Sequence, residues 1–125
     1  MTAGPVEHRT IKTGPYAQSK PSAPAAHHAQ DAETYQRLWT SLIGSGEPPA
    51  IDFKSESAVF LLAGPKNTGG WSVTPKGATL EEKTLVVNAT IDSPPPDAIV
   101  TQAFTSPFAV IAVKTKGFET LRWDR

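Results

Sequence analysis

Glycines at positions 64, 69 and 70, with Pro65, Lys66, Asn67 and Thr68 between them, have the spacing of a loop that cradles phosphate on backbone N–H groups. The match fails where the chemistry needs it. Gly69 is followed by Gly70 and Trp71, where a phosphate loop carries lysine and then a hydroxyl residue. The segment beyond reads as a strand, so no helix N-terminus is expected to meet an anion. His27 and His28, with His8, raise the question of a metal. Neighbouring side chains on an extended segment point apart, and no third ligand stands at a supporting spacing, so solvated histidines are the better expectation. The carboxylates Asp52, Glu56, Glu81, Glu82, Asp92 and Asp97 are scattered rather than paired. No serine has the glycine-flanked setting of a hydrolase nucleophile. The glycosylation triplet Asn88-Ala89-Thr90 falls inside an expected strand and reads as incidental. Catalytic residues, metal and cofactor are all expected to be absent.

Thr68-Gly69-Gly70-Trp71 allows two readings. In one, the glycines make a tight turn and Trp71 plugs the core. In the other, the loop holds backbone N–H groups and a large aromatic side chain at an exposed tip, where aromatic anchors concentrate binding energy. Ser106-Pro107-Phe108 divides the same way, into a strand bulge or a second shaped loop beside the first. The candidate partner-binding set is therefore Lys66, Asn67, Thr68, Gly69, Gly70 and Trp71, with Ser106, Pro107 and Phe108 alongside.

These loops need a frame. Residues 58–63 are an unbroken apolar run of strand length, suited to burial on both faces. Pro65 and the paired glycines end it, and Trp71 and Val73 then alternate with Ser72 and Thr74, which predicts a hairpin. Residues 31–43 form the expected helix. Asp31 suits its N-cap, Tyr35, Leu38, Trp39 and Leu42 make one apolar stripe, and Gly44 ends it. Ile51-Asp52-Phe53 reads as a strand start and residues 7–12 as a first strand, with residues 21–26 left as loop. Residues 84–91 read as a strand with Leu85, Val87 and Ala89 inward. Three prolines at 94–96 make a stiff, exposed connection. Residues 99–104 read as a strand with Val100 and Phe104 on the core side, followed by strands over 108–114 and 118–123. The expectation is an α+β domain: one helix packed on a small, curved, mainly antiparallel sheet, open barrel or sandwich of about 6–7 strands. Residues 31–125 would form it, with residues 1–30 a flexible or partly strand-forming lead-in.

The chain has 125 residues, enough for one core without metals or disulfides. Twelve basic residues balance twelve acidic ones, which removes the main electrostatic argument for nucleic acid. Without cysteine there is no disulfide, zinc-thiolate site or thiol nucleophile. Twelve prolines favour short strands over long helices. No apolar run is long enough for a membrane span, so no membrane insertion is expected. No leader pattern is visible, so the chain is expected to be cytoplasmic or to begin after a removed leader.

At Asp52-Phe53, the run from Gly64 through Thr68-Gly69-Gly70-Trp71 to Val73, the Ser93-Pro94-Pro95-Pro96 turn, and Thr101-Gln102-Ala103-Phe104-Thr105-Ser106-Pro107-Phe108, the sequence resembles the PrcB C-terminal domain family. Leu38-Trp39 and the Gly-Pro-Tyr-Ala-Gln-Ser stretch at 14–19 also fit its pattern. The resemblance implies a non-catalytic bacterial accessory protein that helps assemble or stabilise a protease in the cell envelope. Relatives are often exported or lipid-anchored, and this sequence departs in having no lipid-attachment cysteine. A fainter likeness is to chagasin-type protease inhibitors, which present a Thr-Thr-Gly-aromatic loop beside an Arg-Pro-Trp loop. Here Ser106 replaces the arginine. The expected partner is another protein, such as a protease, and the oligomeric state is left open.

Overall fold

The computed structural model describes residues 4–44 and 46–125. The chain runs β1 (Gly4–Val6), β2 (His8–Gly14), β3 (Ala25–Ala29), α1 (Ala32–Leu38), β4 (Ser57–Leu62), β5 (Ser72–Glu81), β6 (Thr84–Asp92), β7 (Phe108–Val113) and β8 (Thr120–Asp124). The strands form two four-stranded sheets, a front sheet in the order β1-β5-β6-β8 and a middle sheet in the order β2-β7-β4-β3. The sheets are not closed into a barrel. All pairings are antiparallel except β6 with β8. Among the described residues there are thus eight strands and one short helix, more β structure than the sequence led us to expect.

The layers follow from side-chain alternation. Val59, Leu61 and Ala63 face the front sheet with Ala109, Ile111 and Val113 of β7, meeting Val73, Leu85, Val87 and Ala89. Ala58, Phe60 and Leu62 face the other way with Phe108 and Val110, meeting Tyr35, Trp39, Leu42 and Ile43. The apolar run at 58–63 is therefore buried on both faces, as its composition predicts. Each fully covered Phe60 or Leu61 is worth roughly 2 kcal/mol of transfer free energy.

The helix begins at Asp31, whose carboxylate accepts the Thr34 N–H at 2.7 Å. That bond lowers the Asp31 pKa. After Leu38 the helix continues as a π-helical turn, Trp39–Ile43, closed by the Gly44 N–H donating to the Trp39 carbonyl at 3.0 Å. The wider turn brings Leu42 and Ile43 onto the same apolar face as Trp39.

Several expectations are corrected. The expected hairpin is a crossover, because β4 lies in the middle sheet and β5 in the front one. β5 pairs instead with β6, through a turn in which Glu82 takes φ 57°. Residues 51–53 are not a strand. The Asp52 carbonyl accepts the Ser55 and Glu56 N–H groups in a turn, while Phe53 still packs on Tyr35 with ring centroids 5.4 Å apart. Residues 21–26 end in a strand, since β3 starts at Ala25 and pairs with β4. Residues 99–104 are not a strand either. They lie beside a loop that offers single hydrogen bonds rather than a strand edge, and Phe104 points outward, 81% exposed.

Candidate functional site

β2 ends, β7 begins, β4 ends and β3 begins at one end of the middle sheet, where Gly14 and Leu62 both stand opposite Phe108 and Ala25 stands opposite Leu62. Three connections therefore meet there: residues 15–24, 63–71 and 93–107. A short ladder ties them together. The Lys66 and Thr105 backbones exchange two hydrogen bonds of 2.8 Å. The Gly69 N–H donates to the Thr101 carbonyl at 2.8 Å, and the Thr105 hydroxyl donates to the Thr68 carbonyl at 2.8 Å. On the other side, the Ser106 N–H donates to the Pro15 carbonyl at 2.7 Å and its hydroxyl to the Ala17 carbonyl at 2.8 Å.

The sequence candidates divide by depth. Asn67 and Gly70 are exposed, and Lys66, Thr68, Gly69 and Trp71 are half-buried. The Lys66 ammonium lies 4.5 Å from the centre of the Trp71 ring, a cation–π contact that lays the indole against the loop. Ser106, Pro107 and Phe108 are fully buried. They hold the connections in place and form no exposed tip, so the paired-loop arrangement of chagasin-type inhibitors has no second loop here. Gly70 takes φ 86°, and a Cβ there would stand 2.8 Å from Pro94 and 2.9 Å from Val100. That close approach seats the proline connection on the glycine loop.

The base of the loop is pinned where β5 begins and β6 ends. Asp92 accepts hydroxyl hydrogen bonds from Thr74 at 2.6 Å and Thr90 at 3.1 Å, and these hold its carboxyl below the usual carboxylate range.

The same end carries three large apolar side chains absent from the sequence candidates. Tyr16, Ile99 and Phe104 are 60%, 102% and 81% exposed. Tyr16 sits on the strand bridge to Ser106, two residues from Phe104, and Ile99 lies two residues before Thr101. Tyr16 also borders a groove of about 480 Å³ whose wall includes Lys12, Gln18, Ile43 and Phe108. The signal missed in the sequence was position rather than residue type. Each follows or precedes a proline within three residues, where alternation no longer predicts which way a side chain points.

Residues 57–114 match the PrcB C-terminal family model. The match spans β4 to β7 and includes both the 63–71 and 93–107 connections. No curated protein and no solved structure matches the chain. Among the described residues no helix is long and apolar enough to cross a membrane, and no three metal-ligating side chains converge.

Proposed function

We propose that this protein is a non-catalytic accessory module that binds another protein, a protease or a protease-bearing complex of the cell envelope, through the end that gathers its three connections. The observation that carries this reading is the outward placement of Tyr16, Ile99 and Phe104 on connections hydrogen-bonded to one another. Scattered exposed apolar side chains are ordinary, whereas large ones grouped at one end mark an interaction surface. Aromatic side chains in such a group act as anchors, and the polar Asn67, Gln102 and Lys66 supply the wetter rim. The PrcB C-terminal match at residues 57–114 supports a protease complex as the setting.

The test is capture from the native organism with the whole protein as bait, followed by a protease assay on what is captured. The expected result is a protease that keeps its turnover while bound, because an accessory subunit need not occupy the active site. A captured protease whose turnover is blocked would make the protein an inhibitor and overturn the accessory role.

A further inference from the structure

Exposed strand edges offer unpaired backbone groups to another strand, and proteins protect them with short strands, proline, bulges or charge. Among the described strands, β1 is three residues long and holds Pro5, and β2 carries a register shift between Thr10 and Lys12. β3 runs directly into the helix cap at Asp31. β8 has five residues with no proline and no register shift, its charge is the Arg122 and Asp124 pair, and it is paired within the front sheet on one side only.

The hydrogen-bond parity of β8 is fixed. The Thr120 N–H donates to the Lys83 carbonyl at 3.1 Å, so Thr120, Arg122 and Asp124 turn their backbone groups toward β6. Leu121 and Trp123 then turn theirs to the free edge. Their side chains face the core, where the Trp123 indole N–H donates to the Ala89 carbonyl at 3.0 Å. Arg122 and Asp124 lie on the solvent face, paired at 3.1 Å and 54% and 44% exposed.

We infer that β8 is a dimerisation edge, pairing antiparallel with β8 of a second copy to join the two front sheets. Parity allows pairings that put outward-turning backbones opposite each other. Centring the two-fold on Trp123 sets each Arg122 opposite Asp124 of the second copy, in the position where side chains approach most closely. Centring it on Arg122 would oppose two arginines, which is unfavourable. The strand is thus self-complementary in charge in one register and repulsive in the neighbouring one. The same register sets the two Trp123 indoles side by side on the core face, covering their half-exposed surfaces.

Sedimentation of the full chain, from micromolar to millimolar concentration, tests this. The expected result is a reversible dimer. Arg122→Asp alone or Asp124→Arg alone weakens association about tenfold, since each turns two exposed attractive pairs into repulsive ones. Carrying both substitutions in one chain restores it, and mixing the two single variants yields a heterodimer. Circular dichroism keeps folding separate from association, because both side chains are exposed. A monomer throughout, a dimer indifferent to the single variants, or a double variant that fails to recover would each overturn the proposal.

Discussion

At the scale of single residues, Gly70 and Tyr35 carry the sharpest constraints. Gly70 combines φ 86° with a space already filled by Pro94 and Val100. Gly70→Ala is expected to destabilise the fold by about 2 kcal/mol, through backbone strain and a forced shift of the proline connection. Urea denaturation measures this. A loss no larger than that of an exposed control substitution would mean that the close approach is unimportant. Tyr35 is buried, and its hydroxyl donates to the Pro49 carbonyl at 2.8 Å. Burial pushes its phenol up to about 12. In an unfolded chain the phenol ionises near about 10. Its contribution is therefore fully present below pH of about 10 and is lost as pH rises toward about 12. Tyr35→Phe should remove this alkaline decline and cost about 1 kcal/mol at neutral pH for the lost hydrogen bond. Thermal melts from pH 8 to 11 compare the two proteins.

At the scale of elements, Gln30 holds the lead into β8. Its amide donates to the Phe118 carbonyl at 2.9 Å and accepts the Gly117 N–H at 2.7 Å. Phe118 also packs on His28 with ring centroids 4.8 Å apart and the rings tilted by 54°, so the segment leading into β8 is held to β3 by both contacts. Gln30→Ala is expected to cost about 1–2 kcal/mol and to raise hydrogen exchange selectively in residues 115–124. Uniform exchange would show that β8 does not depend on this clamp. Elements with one strong periodicity were readable from sequence. The stripe at Tyr35, Trp39 and Leu42, with its fourth member Leu38 only half-buried at the margin, the doubly buried run at 58–63 and the inward set Leu85, Val87 and Ala89 stand where their spacing puts them. The β5–β6 hairpin was not readable. Its turn uses Glu82 at positive φ without an Asn-Gly signal, and β5 passes through Pro75 by a register shift before Gly77. β3 was hidden too, because alanine and histidine carry little strand preference and its pairing with β4 decides the matter.

At the scale of the whole molecule, the end that gathers the connections is made by topology. β4 and β7 are central in the middle sheet, and their loop-side ends stand together because the strands are antiparallel. Sequence picked out the 66–71 loop and the 106–108 segment, but not which of them lies at the surface and which is buried. Ser106, Pro107 and Phe108 went inward because their backbones serve both neighbouring connections. Phe104 went outward because residues 99–104 had no strand to join. The balanced charge of the chain gives the proposed interface no net electrostatic pull, so apolar contact is the source of affinity the proposal relies on.

The most direct test is the dissociation constant of the captured protease for wild-type protein, Phe104→Ser, Ile99→Ser and the exposed helix variant Arg37→Ser. The account predicts that Phe104→Ser and Ile99→Ser each weaken binding about tenfold or more, with Arg37→Ser unchanged. Unchanged affinity in the two apolar variants, with loss in Arg37→Ser on the helix, would contradict it.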